Sequence, residues 1–214
     1  ASDVYKRQLL YYKLKCSIGS TTIMFKERSF KMSNVGEKLY EDFKRNLESV
    51  NGNCLRTSKA DLGKNIVDIF KKEGINSICL LESQILKENN VVATIEEAGI
   101  TVHTDHIRLH AETDRGGVSE ANHGIAELGT IVQEDDNVDG RIIATMAETY
   151  IGIIKESKIV PTYDDMFVIL SNMEQIPNFI GFITGPSRTA DIECVGTVGV
   201  HGPIKVYIIV VKDE

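Results

Sequence analysis

The sequence predicts an α/β fold, a mostly parallel sheet with helices on both faces. Three observations carry this. Strand-length apolar runs alternate with helical periods of about a dozen residues, the pattern of parallel strands joined by crossover helices. Two of the runs, Phe179 to Ile183 and Val206 to Val211, are apolar almost throughout and read as core strands. With 214 residues, 42% of them hydrophobic, the chain can bury a sizeable core.

In chain order, Leu39, Phe43 and Leu47 repeat at every fourth position and predict a helix over 35–50 with one apolar stripe. After the Asn51-Gly52-Asn53 turn, Cys54 to Thr57 reads as a strand. Asp61 to Glu73 reads as a helix with Leu62, Ile66, Ile69 and Phe70 inward, and Ser77 to Leu81 as a strand. Ile85 to Ala98 is expected to form one helix closed by Gly99, followed by a strand over Ile100 to Thr104. The middle is less regular. Glu120 to Gly124 suggests a single helical turn, and Ile125 to Val132 a strand broken at Gly129, with a bend that exposes Glu127. The acidic turn Asp135 to Gly140 lacks the spacing of a calcium loop and reads as a solvated loop. Helices over Arg141 to Thr149 and Asp164 to Met173 and a strand over Tyr150 to Lys155 complete the series.

Charge divides the chain. Residues 1–31 hold seven Lys or Arg against Asp3 and Glu27, a net of +5, which leaves −12 for Met32 onward and −7 in total. Residues 32–214 are expected to be the folded domain. Residues 1–31 are expected to be a poorly ordered extension, a sequence-assembly artefact or a basic arm for an acidic partner. The stretch Leu9 to Cys16 is interrupted by Lys13 and Lys15, so it does not read as a secretory signal. The acidic balance argues against a nucleic-acid surface, and no apolar run approaches the roughly 20 residues of a membrane span. Cys16, Cys54, Cys79 and Cys194 form no CxxC pair, so neither a zinc site nor an iron-sulfur cluster is signalled. They read as reduced thiols in a cytoplasmic protein.

The segment most suggestive of function follows the strand Phe179 to Ile183. Gly185 and Pro186 stop the strand, and Ser187, Arg188, Thr189, Asp191 and Glu193 follow within eight residues. A helix starting here would present free amides to an anion, and the Arg188 guanidinium matches a two-oxygen anion. The same residues also fit an ordinary strand-to-helix turn with a surface Arg, in which Asp191 and Glu193 cap the helix or orient Arg188. Glu127 is a lone carboxylate in an apolar, glycine-rich stretch. It is either a desolvated acid or base, or a structural carboxylate bound to backbone or to Arg188. His201, between two glycines, suits acid/base work or a plain turn. His103, His106, His110 and His123 cluster in sequence. The pair His106 and His110 fits one helical face, but an extended segment would separate them by about 13 Å, and no metal is expected here.

Gly124-Ile125-Ala126-Glu127-Leu128-Gly129-Thr130, Ile159-Val160-Pro161, Thr184 to Glu193 and Gly199-Val200-His201-Gly202-Pro203, in that order and spacing, resemble the LUD domain, the LutC/YkgG family of lactate utilisation. The resemblance covers Met32 to the C-terminus. It implies a fold like the NagB/RpiA/CoA transferase group and a role in oxidising L-lactate to pyruvate alongside LutA-like and LutB-like subunits. It also implies iron-sulfur clusters on those partner subunits and no cofactor on this chain. Lactate and pyruvate are small organic anions whose carboxylates would suit a seat at Gly185, Ser187, Arg188, Thr189, Asp191 and Glu193 physically, with Glu127 and His201 expected to line the same pocket. Leu128 and Tyr150 depart from the family pattern, which has Thr and often His at those positions. A stand-alone isomerase or acyl transferase acting on a phosphorylated or CoA-linked substrate, and an organic-acid sensor, are the competing readings.

Overall fold

The computed structural model describes residues 24–189, 197–198 and 201–213. The chain divides into two compact units, Ala1–Val35 and Gly36–Glu214. Helix α1 spans Met24–Ser49 and so begins earlier than its apolar stripe predicts.

The frame of the second unit is a six-stranded, wholly parallel sheet in the order β1-β12-β7-β4-β2-β3. Its strands are β1 (Asn53–Thr57), β2 (Ser77–Leu80), β3 (Thr101–His103), β4 (Gly116–Glu120), β7 (Thr149–Lys155) and β12 (Lys205–Val211). The period-two geometry of a strand sends alternate side chains to opposite faces. Ile78, Leu80, Val118, Ile151, Ile153, Tyr207, Ile209 and Val211 join one core with helices α2 (Leu62–Glu73), α3 (Gln84–Glu88) and α4 (Val91–Glu97). Cys79, Tyr150, Ile154, Val206, Ile208 and Val210 join the opposite core with Tyr40, Phe43 and Leu47 of α1. Helix α5 (Ile107–His110) and helix α6 (Val138–Met146) complete that second layer. Both faces are therefore covered, as the apolar strands require.

A second, mixed sheet that the sequence does not announce is built from β8 (Ile159–Val160), β5 (His123–Ile125), β6 (Thr130–Asp135) and β9 (Phe179–Ile183), in that order. Helix α7 (Tyr163–Ser171) covers it through Met166 and Leu170. Its start is fixed by a reciprocal capping box between Thr162 and Asp165. Gly152 on β7 lets this sheet approach the first: a Cβ there would lie 2.6 Å from Ile131 Cδ1.

Four expectations need correction. Ile85 to Ala98 is two helices rather than one, because Asn90 takes a left-handed φ of 48° that ends the helical repeat. Asn89 Nδ2 donates to the Ile85 carbonyl and closes the first of the two. Glu120 to Gly124 is not a helical turn but the end of β4 and the start of β5. The segment around His106 is not extended, since α5 follows it directly. No helix begins at Ser187: Arg188–Thr189 is strand β10, paired antiparallel with β11, Thr197–Val198. Among the described residues no helix is long and apolar enough to cross a membrane.

Candidate functional site

Two tight turns carry the residues singled out by the sequence, and both rest on the end of α1. The first links β5 to β6. Gly129 takes a φ of 61°, and its Cα packs so closely on the backbone of Leu47 that a Cβ would overlap Leu47 N. Asn46 Nδ2 donates to the carbonyls of Ala126, at 2.8 Å, and Glu127, at 2.9 Å. The second turn leaves β9 at Thr184. Gly185 has a φ of 68° and lies against the Val50 carbonyl. The Thr130 and Thr184 hydroxyls, 2.5 Å apart, join the two turns directly.

Ser187 then connects the second turn to the Gly-His-Gly-Pro segment before β12. Its backbone N–H donates to the Pro203 carbonyl at 2.9 Å, and its Oγ accepts from the His201 backbone N–H at 3.4 Å. Thr184, Gly185, Ser187 and His201 are thus brought to one locality. Arg188 and His201 are exposed, and Ser187 is half-buried.

Glu127 is exposed rather than desolvated. Its Oε2 accepts the Tyr163 backbone N–H at 3.1 Å, so of the alternatives open to it the structure contains the bond to backbone. No hydrogen bond or ion pair among the described residues joins Glu127 to Arg188 or His201. The Thr189 side chain, Asp191 and Glu193 lie outside the described residues. What the arrangement offers chemically is an exposed guanidinium, a hydroxyl and an imidazole on paired turns, a set suited to binding a carboxylate.

Tyr150, one of the two departures from the family pattern, is wholly buried, and its hydroxyl is 2.7 Å from Ser119 Oγ. Burial pushes its phenol up to about 12, against a smaller downward pull from Ser119. The residue is a neutral member of the core.

Sequence reasoning singled out His103 and His110 but missed Asp114, Ser77 and Cys79, which join them in a polar cluster on the α5–α6 side of the sheet. His103 Nδ1 is 2.7 Å from Asp114 Oδ2, the Ser77 hydroxyl donates to Asp114 Oδ1 at 2.5 Å, and the Cys79 thiol donates to Oδ2 at 3.3 Å. The imidazoles of His103 and His110 stack with centroids 3.6 Å apart and planes 6° from parallel. Burial opposes ionisation of Asp114, but the hydrogen bonds from Ser77, His103 and Cys79 together hold its carboxyl below the ordinary value. Burial, followed by the Asp114 hydrogen bond and charge, pushes the Cys79 thiol up to about 12. The available signal was the adjacency of parallel β2, β3 and β4, which places Ser77, Cys79 and His103 beside the approach to β4 that carries Asp114.

Comparison with known proteins agrees with this architecture. Residues 40–211 match the LUD domain. Lactate utilization protein C 1 of Bacillus mycoides is 29% identical over 182 residues, 78% of this chain and 76% of that protein. Lactate utilization protein C of a Geobacillus species is 30% identical over 192 residues, 83% and 80% of the two chains. A crystal structure of a DUF162 family protein from Deinococcus radiodurans superposes with a TM-score of 0.61 at 17% identity, covering 82% of this chain and 98% of that one, which shows a shared fold. The family match spans both sheets and both paired turns, and the chain belongs to the LUD domain family.

Proposed function

We propose that this chain takes part in lactate utilisation as a component without clusters of its own, in a system that oxidises L-lactate to pyruvate. The observation that carries the reading is the LUD domain match over residues 40–211, together with relatives named lactate utilization protein C that align along most of the chain. In this reading Arg188, with Ser187 and the His201 segment beside it, binds the substrate carboxylate. Oxidation breaks the Cα–H and O–H bonds of lactate and releases two electrons and two protons. The electrons pass to iron-sulfur clusters on LutA-like and LutB-like partner subunits.

The exposure of Arg188, its place next to the Ser187–His201 contact and the bidentate fit of guanidinium to carboxylate support the binding role. An isomerase or acyl transferase using Glu127 as base is less well supported, because that carboxylate is exposed and one oxygen already accepts a backbone N–H. The test is lactate-dependent dye reduction by the purified partner subunits with and without this chain. Loss of reduction on omission is expected, and undiminished reduction would refute the role.

A further inference from the structure

His103, His110 and Asp114 are drawn together from within twelve residues of chain. β3 ends at His103, and His106, with a φ of 50°, reverses the path into α5. The short helix ends at His110, whose carbonyl then accepts the Asp114 backbone N–H at 2.8 Å. This folding returns the second imidazole over the first and sets the carboxylate beside both. One donor atom from each residue falls within 4.8 Å of the other two.

We propose that His103, His110 and Asp114 bind a divalent late first-row transition cation of the zinc class, with the remaining position open to water. Two imidazoles and one carboxylate are the borderline donors such ions prefer, whereas magnesium and calcium favour oxygen alone. The Asp114 side chain is only 3% exposed, and its sole ionic partner among the described residues is His103, so no Lys or Arg balances the buried carboxylate. Ser77 and Cys79 fix its orientation, as outer-shell groups do around metal-binding carboxylates. His103 is 27% exposed and His110 half-buried, which leaves a route for the ion and for a water ligand.

Binding opens the stack: an ion lies in the plane of each imidazole that holds it, and two parallel rings 3.6 Å apart share no such point, so the His110 ring rotates until its nitrogen faces the ion. Two donors each about 2.0–2.1 Å from a tetrahedral ion are about 3.3 Å apart. The separation of His103 Nδ1 and Asp114 Oδ2, now 2.7 Å, opens by about 0.6 Å as the ion takes the place of the shared proton. The site uses none of the residues assigned to carboxylate binding, so the two readings stand or fall separately.

The test is calorimetric titration of the full chain, stripped with chelator, with zinc chloride, and absorption spectroscopy with cobalt chloride. One equivalent of each metal is expected to bind, cobalt with the visible bands of a four- or five-coordinate site, and magnesium chloride is expected to give no binding heat. His110→Ala, which removes a ring held by stacking, and Asp114→Asn are each expected to weaken zinc binding at least about tenfold. His106→Ala, at an exposed neighbouring imidazole, is expected to leave it unchanged. Zinc binding weaker than about 1 mM, or binding of full strength in a folded His110→Ala variant, would overturn the proposal.

Discussion

The hydroxyls of Thr130 and Thr184 lie 2.5 Å apart and tie the turn bearing Glu127 to the turn bearing Arg188. Thr130 is only 1% exposed, so its hydroxyl cannot readily exchange this bond for water. Thr184→Val therefore leaves a buried hydroxyl unpaired and is expected to cost about 1–3 kcal/mol. Thr130→Val together with Thr184→Val removes both partners and is expected to cost less than the sum of the single changes. Urea denaturation of the four proteins in this cycle measures the coupling.

Arg188 carries the proposed carboxylate contact and is exposed, so its removal leaves the core intact. A charged hydrogen bond contributes about 1.5–3 kcal/mol, which corresponds to roughly a 10- to 150-fold rise in KM for lactate in Arg188→Ala. Arg188→Lys keeps the charge without the two-pronged geometry and is expected to recover only part of the loss. Steady-state kinetics of the reconstituted system, with thermal denaturation as a control for folding, separates binding from stability.

Tyr150→Phe examines a residue that the family pattern brings to attention but the structure puts in the core. Its hydroxyl pairs with Ser119 Oγ, and both groups are buried. The variant is expected to lose about 1–3 kcal/mol of stability with KM and kcat for lactate oxidation unchanged at a temperature where it is folded. A fall in kcat without loss of stability would place Tyr150 in the chemistry instead.

Glu73 links the end of α2 to β12. It accepts hydrogen bonds from Lys205 and, at 2.6 Å, from the Tyr207 hydroxyl, and its side chain is 8% exposed. Burial pulls its carboxyl upward, but the two hydrogen bonds and the Lys205 charge together hold it below the ordinary value of 4.5. A carboxyl lowered on folding contributes stability in full above its unfolded value, and that contribution is lost as pH falls through the folded one. Glu73→Gln is accordingly expected to cost about 1–3 kcal/mol at pH 7. The difference from the unmodified chain should shrink as the pH drops below 4.5, which denaturation curves at several pH values would reveal.

Much of the parallel sheet was legible because its strands are buried on both faces and therefore apolar. There β12 differs from the expected Val206 to Val211 only by adding Lys205. Phe179 to Ile183 also has the bounds expected of it, but it lies in the mixed sheet and is partly exposed, not a core strand. The second sheet was harder to read, since β5 and β8 have three and two residues and show no resolvable period. The break at Asn90 depends on one backbone angle within an otherwise helical pattern. At the candidate site, Gly185, Ser187 and His201 converge as their shared motif suggested, but through paired turns and a short hairpin instead of a helix start. Glu127 is exposed, as the bend expected there implies, and its bond to the Tyr163 N–H selects the structural one of its two readings, which the apolar neighbours in sequence could not decide. The pairing of His103 with His110 depends on the reversal at His106, which spacing alone does not encode.

The most direct measurement is the initial rate of lactate-dependent dye reduction by a fixed amount of the proposed cluster-bearing partner subunits, titrated with increasing amounts of this chain. A component of the oxidising system should raise the rate from near zero to a plateau at a fixed molar ratio, with Arg188→Ala shifting the lactate dependence at that plateau. A rate that is already maximal without this chain and stays flat throughout the titration would contradict the account.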